Sequence, residues 1–304
     1  MEKHRWSSND IPSQKGRVAI VTGANSGIGR ETARALAAHG ALVIMACRDQ
    51  QRGEEAARSI RTEHPEAQVR VMELDLADLG SVRAFAAAVI ADYSRLDLLT
   101  NNAGVMIPPY SLTNDGFELQ FGTNHLGHFA LTSLLLPLIR STPGARIVVV
   151  SSVAHFSGWI DFADPNWKSR GYHAWAAYSQ SKLANLLFAA ELQRRLGALG
   201  AALPVIAVHP GWTNSNLQRT AGLMRWLNPV FGMPPWQGAL PTLYAATSPA
   251  AQGGAYYGPD GWFGLRGYPG PARRSPAARN AKKALRLWNL SCDLTGEKFS
   301  NLDS

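Results

Sequence analysis

The chain has 304 residues, of which 46% are hydrophobic and 17% charged, enough apolar material for one large α/β domain with a substantial core. Its two cysteines, Cys47 and Cys292, exclude a disulfide framework, and its longest apolar stretch, Phe129 to Ile139, is too short to cross a bilayer. The net charge of +8 fits an anionic partner of some kind: nucleic acid, a membrane surface or a polyphosphate cofactor.

Residues 1–14 are polar and lack the apolar core of a signal peptide, so a flexible N-terminal arm and a cytoplasmic location are expected. From there strand-like and helix-like stretches alternate. Val18–Val21 is a short apolar run closed by a Gly-rich turn, and the helical composition of Ile28–His39 stops at Gly40. Ala41–Cys47 is a second apolar run, followed by a charged helix over Gln50–His64 with Pro65 beyond it. Val69–Leu74, Leu96–Thr100, Arg146–Ser151 and Val205–His209 read as further strands. Leu79–Tyr93, Asp115–Arg140 and Ala176–Leu199 read as the helices between them. Continuous rather than alternating apolar runs mark strands buried on both faces, and repeated β–α–β units give a parallel sheet. The expected fold is α/β: a single doubly wound, Rossmann-like domain over residues 15–262. It has a mostly parallel seven-stranded sheet with helices on both faces and a substrate lid at 211–236. A basic C-terminal extension with a helix, 263–304, follows.

Directly after the first strand comes Thr22-Gly23-Ala24-Asn25-Ser26-Gly27-Ile28-Gly29. Glycines at such a turn let backbone N–H groups approach a pyrophosphate at a helix N-terminus. Further along, in order, stand Asn101-Asn102-Ala103-Gly104, Tyr178-Ser179-Gln180-Ser181-Lys182 and Pro210-Gly211. As an ordered set these resemble the short-chain dehydrogenase/reductase family. Ser181-Lys182-Leu183-Ala184-Asn185, Ala46-Cys47-Arg48-Asp49 and Tyr256-Tyr257-Gly258-Pro259 resemble its retinol-dehydrogenase-like branch, near the WW-domain oxidoreductases.

The resemblance implies a nicotinamide dinucleotide held by Thr22, Gly23, Asn25, Ser26, Gly27, Ile28 and Gly29, and by Asn102, Ala103 and Gly104. It further implies Asp75 with Leu76 beside the adenine, Pro210, Gly211 and Thr213 at the nicotinamide, and both Tyr178 and Lys182 in contact with the cofactor. Asp75 has a rival reading as a helix N-cap. An acidic residue at the end of the second strand would bond the ribose 2′-hydroxyl of NAD, whereas this chain has Arg48 there, with Arg52 a turn on. A guanidinium bonds a phosphate bidentately, so NADP(H) is favoured over NAD(H).

Tyr178 and Lys182, four apart on a helix, project from one face. A free tyrosine titrates near 10, and lowering it by about three units requires about 4 kcal/mol of preferential phenolate stabilisation. One ammonium at roughly 4 Å supplies about that at an effective dielectric near 20. By resemblance Ser152 bonds the substrate oxygen, with Ser151 as the alternative, and Asn124 holds a water behind the lysine. The aromatic-rich stretch Ser157–Trp175 lengthens the span between serine and tyrosine, and with Trp212–Trp236 it favours a hydrophobic pocket. His125 and His128 have metal-ligand spacing without a third ligand, so no metal is expected, and His209 is left without a role.

The expected function is hydride transfer between NADP(H) and the carbonyl or alcohol carbon of a small, hydrophobic molecule. The alternatives are reduction of an activated carbon–carbon double bond, or a catalytically silent NADP-binding sensor. No nucleic-acid recognition motif is present. The helices over 115–140 and 176–199 resemble those that pair subunits in family homodimers. A monomer follows instead if the long insert covers them.

Overall fold

The computed structural model describes residues 5–214, 232–299 and 302. One sheet of eight strands organises them: β1 (Val18–Thr22), β2 (Leu42–Cys47), β3 (Gln68–Glu73), β4 (Leu98–Asn101), β5 (Arg146–Val150), β6 (Val205–Val208), β7 (Tyr256–Gly261) and β8 (Arg266–Pro271). Their spatial order is β3-β2-β1-β4-β5-β6-β7-β8. Strands β1 to β7 pair in parallel, and β8 returns antiparallel on β7. The order reverses between β1 and β4, which opens a crevice at the carboxyl ends of those strands, where ligands of such sheets bind.

Alternate residues of each central strand feed two cores. Ile20, Ile44, Leu99, Ile147 and Ala207 face α3 (Leu79–Asp92), α4 (Gly127–Arg140), α5 (Ala174–Ala198) and α7 (Ala281–Thr295). Val21, Val43, Leu98, Val148 and Ile206 face α1 (Gly27–Ala38), α2 (Gln50–Glu63) and α6 (Leu240–Thr247). Burial on both faces is what the unbroken apolar runs require.

The sheet has eight strands where seven were expected. Arg266-Gly-Tyr-Pro-Gly-Pro271 carries no apolar run and no alternation, so its backbone pairing with β7 alone makes it a strand. The stretch beyond 262, expected as an extension, supplies both β8 and α7 to the main domain. Ala284, Leu287 and Trp288 of α7 lie in the same core as α5, with Lys282 and Arg286 facing outward. The segment expected as a loose arm is packed from Arg5 onward: Trp6 meets Tyr244 edge to face at 5.4 Å, and Gln14 donates its N–H to the His39 carbonyl at 2.8 Å. The helix expected over 115–140 begins at Leu119, because Gly116 takes a left-handed turn closed by Thr113 and Phe117. A π-helical segment, Gly122–Leu126, then leads into α4. Of the expected lid, residues 215–231 lie outside the described residues; its ends meet in a bridge between Thr213 and Met233.

Candidate active site at the sheet switch point

A cleft of about 470 Å³ fills the crevice. Gly23, Asn25, Ser26, Gly27, Ile28 and Gly29 form one wall, Arg48 closes the end of β2, and Asp75 and Leu76 stand after β3. Asn102, Ala103 and Gly104 follow β4, and Tyr178, Lys182 and Pro210 sit at the inner end. These expected residues are therefore brought together from six separate stretches of chain.

The glycine turn works by close packing. Gly27 is left-handed, with φ of 54°, and a Cβ on Gly29 would collide with the Gly23 carbonyl oxygen. Helix α1 starts at Ser26 without a side-chain cap and without an acidic residue in its first turn. By contrast α2, α3 and α7 are capped by Asp49, Asp78 and Asn280. An uncapped helix start facing a cleft is a ready site for a phosphate, since its amides and the helix dipole both favour negative charge. Arg48 and Arg52, both exposed, line the same cleft at the β2 end, where a second phosphate would meet them. The residues present thus fit a dinucleotide. Asp75 is not the cap of α3; that is Asp78, whose Oδ1 accepts from Gly80 and Ser81. Asp75 instead closes its own turn onto the Ala77 N–H at 2.9 Å and presents itself to the cleft.

Five expected site residues do not line the cleft: Thr22, Gly211, Thr213, Asn124 and Ser152, whose neighbour Ser151 lines it instead. Thr22 is fully buried: its Oγ1 accepts from the N–H groups of Asn102 and Ala103, both at 2.9 Å, and meets His128 Nε2 at 2.9 Å. It thus fastens the β4 turn and does not line the cleft. Gly211 and Thr213 lie behind Pro210. Gly211 is left-handed and packed against the Leu265 carbonyl, and Thr213 Oγ1 donates to the Pro210 carbonyl at 2.9 Å. Asn124 spends its amide on protein: Oδ1 accepts from Val105 N–H at 2.7 Å, and Nδ2 donates to the Val105 carbonyl at 3.0 Å and to Ser181 Oγ at 2.9 Å. A Cβ on Gly104 would come within 3.0 Å of that Oδ1 and 3.5 Å of Lys182 Nζ, a tight fit that would press on the Asn124 amide.

At the inner end the two serines separate by role. Ser151 Oγ donates to the Lys182 carbonyl at 2.7 Å and ties β5 to α5. Ser152 hydrogen-bonds the Tyr178 phenol, an interaction that favours the phenolate. Burial acts the other way and is larger, pushing Tyr178 up to about 12. The lowering expected from Lys182 is not seen. Its Nζ stands 5.7 Å from the centre of the tyrosine ring and donates to the Val150 carbonyl at 3.4 Å. Burial brings the lysine itself down to about 8. Helical spacing puts the pair on one face but carries no information about how dry that face is.

The histidines are spent on structure. His125 Nε2 meets Ser291 Oγ at 2.8 Å, and His128 joins the Asn124 carbonyl to Thr22; burial holds them at about 3 and about 4. His155 was not singled out by sequence. Its Nδ1 donates to the Ser152 carbonyl at 2.6 Å while Nε2 accepts from Ser275 N–H at 3.2 Å, which fixes a neutral tautomer beneath Ser152. Tyr256 was also missed as a site residue: its hydroxyl, on β7, is buried without a hydrogen-bond partner among the described residues, and burial with the nearby Tyr178 phenol pushes its pKa up. His155 lies only three residues beyond Ser152 but belongs to no quoted motif, and Tyr256 stands in a quoted motif that implied no site role and reaches the site from a distant strand.

The family model for short chain dehydrogenases matches residues 17–164. Retinol dehydrogenase 11 of Mus musculus is 46% identical over 288 residues, spanning 92% of this chain and 87% of that protein. Retinol dehydrogenase 12 of Homo sapiens is 46% identical over 293 residues, 93% and 88% of the two chains. Among solved structures, an uncharacterized protein from Mycobacterium Paratuberculosis superposes with a TM-score of 0.83 at 49% identity, covering 97% of this chain and 99% of that one. The Pseudomonas aeruginosa RhlG/NADP active-site complex gives 0.65 at 26% identity, covering 80% and 94%.

Proposed function

The chain belongs to the short-chain dehydrogenase/reductase family, in its retinol-dehydrogenase-like branch, and from that premise we propose that it is an NADP(H)-dependent reductase of hydrophobic carbonyl compounds, running as an alcohol dehydrogenase in reverse. The family and its relatives make it an oxidoreductase that uses a nicotinamide cofactor. The bound nicotinamide supplies or accepts the hydride; the rest of the chemistry falls to the protein.

The observation that carries the reading is the buried Tyr178, paired with the half-buried Ser152, at the inner end of a cleft whose outer end holds Arg48. Tyr178, raised to about 12, is protonated at neutral pH and is therefore poised as the acid that delivers a proton to a forming alkoxide. Ser152 shares that proton's hydrogen bond and stabilises negative charge growing on the substrate oxygen. Lys182, charged below about 8, biases the same small volume toward anionic oxygen and stands within reach of a cofactor in the cleft. Asn124 positions that lysine indirectly by fixing the Val105 backbone and Ser181 beside it. Asn25, Ser26, Gly27 and Ile28 would hold the pyrophosphate, Asp75 and Leu76 the adenine, and Arg48 the 2′-phosphate. The names of the relatives make a retinoid-like aldehyde the first substrate to try.

NADPH oxidation with all-trans-retinal and a panel of aliphatic and aromatic aldehydes is the test. Turnover should drop by about 10²–10⁴ in Tyr178→Phe, and Arg48→Asp should shift preference from NADPH toward NADH. Unchanged turnover in the tyrosine variant would remove the mechanism, and tighter binding of NADH than NADPH to the unaltered protein would remove the cofactor assignment. Among the described residues no helix is long and apolar enough to cross a membrane, and we propose a cytoplasmic location, open to cell fractionation.

A further inference from the structure

A second hollow, about 510 Å³, opens beside the start of β7 and shares no lining residue with the cofactor cleft. Three arginines border it, Arg273, Arg274 and Arg279, together with Gly254 and Tyr256. Among the described residues no carboxylate lines it. Arg273 and Arg279 are exposed at the rim, while Arg274 is half-buried. Its Nη2 donates to the Gly254 carbonyl at 2.6 Å, and its guanidinium lies 5.9 Å from the centre of the Tyr256 ring. Burial lowers its pKa, and only the Tyr256 phenol, not a carboxylate, acts against that.

This is unusual within the chain. Arg17 and Arg95 share Asp97, and Arg194 and Arg195 share Glu191. Arg146 is also half-buried without a carboxylate, yet its Nη1 is spent on two carbonyls around the end of α6, those of Ala245 and Ser248. Arg274 uses one N–H on Gly254, while a guanidinium carries five donors in a planar fork. Three guanidinium groups around one hollow repel one another unless an anion joins them, and fork geometry matches a tetrahedral oxyanion.

We propose that this hollow is a binding site for a phosphoryl group, held by Arg274 from within and by Arg273 and Arg279 from the rim. The dianionic charge suits three cations better than a carboxylate would. The phosphoryl group is carried either by a soluble molecule or by a lipid headgroup, and both present the same oxygens to the arginines.

The test uses protein saturated with NADP, so that the glycine turn and Arg48 are already engaged, titrated with inorganic phosphate in a calorimeter. One phosphate per chain is expected, with affinity at least about tenfold weaker, or about 1.4 kcal/mol, in Arg274→Met and in the double variant Arg273→Ser/Arg279→Ser. The double variant alters two exposed side chains and keeps the question open to an answer should the buried substitution misfold. Arg58→Ser, at an exposed arginine that lines neither the hollow nor the cofactor cleft, should leave the phosphate affinity unchanged. Pelleting with phosphatidylcholine vesicles containing phosphatidic acid, abolished by the double variant, assigns the group to a lipid; phosphate binding without pelleting assigns it to a soluble molecule. No phosphate heat and no pelleting, or equal phosphate affinity in the double variant, overturns the proposal.

Discussion

Burial sets the chemistry of individual residues here. Tyr178 is held near 12 and Lys182 near 8 by the same dry surroundings, so the phenol keeps its proton over the whole working range while the ammonium does not. Reduction should therefore weaken as pH rises through about 8, and a pH–rate profile of kcat/KM checks this. A flat profile from 7 to 9 would mean that the lysine's charge does not matter. The sign for stability is the reverse. The folded chain binds this proton less tightly than the unfolded one, so folding gains as pH rises from 8 to 10.5 and is penalised below. At neutral pH the drop from 10.5 to about 8 corresponds to a penalty of order 3 kcal/mol. Lys182→Met should accordingly unfold at higher denaturant concentration while losing activity, and a lower midpoint would contradict the burial argument. That Tyr178 and Lys182 would share one cleft, with Ser152 beside the phenol, was legible in the sequence because they sit in an ordered motif set. The direction of the tyrosine's shift was not, because spacing on a helix says nothing about desolvation. Thr22 is the converse case: its place in the motif was plain, but only the folded chain shows it bonded to Asn102 and Ala103.

At the level of elements, the glycine turn and α1 form one packed unit. A methyl group on Gly29 would strike the Gly23 carbonyl and come within 2.6 Å of Asn102 Nδ2, which itself donates to the Thr22 carbonyl. Gly29→Ala should push α1 away from the β1 and β4 turns, cutting cofactor affinity by at least about tenfold and costing about 1–3 kcal/mol of stability. Fluorescence titration with NADPH and denaturant melts measure the two, and wild-type affinity would show that the turn tolerates side-chain bulk. The parallel strands were readable because burial on both faces leaves unbroken apolar runs. β8 was not, since a strand of glycine, proline and arginine shows no pattern until β7 lies beside it. The start of the helix before α4 was hidden for a similar reason: the polar turn at Gly116 has helical composition around it, and its left-handed backbone is invisible in composition.

For the molecule as a whole, α7 alters what the chain can assemble into. Trp288 stacks on Phe188 at 6.1 Å and meets Phe129 at 5.3 Å and Phe299 at 4.4 Å, so α7 covers part of α4 and α5, the helices whose resemblance implied subunit pairing. We expect a monomer by sedimentation velocity, and association on removal of residues 281–304; a dimer formed by the full chain through α4 and α5 would refute this. The aromatic insert adds to the cover on α5: Ser157 Oγ lies 3.0 Å from Ser179 Oγ, and Gln180 Nε2 donates to the Pro165 carbonyl at 2.8 Å. The far margin of the sheet completes the isolation. Pro269 and Pro271 of β8 have no amide hydrogen to offer, so a passing strand from another chain finds few donors with which to zip on. Seven parallel strands must wait for distant partners while the polypeptide folds, and a sticky margin would be most dangerous in that interval. Ending this edge in prolines denies another copy of the chain the amide donors it would need there to start aggregation, while the opposite edge, β3, has no proline.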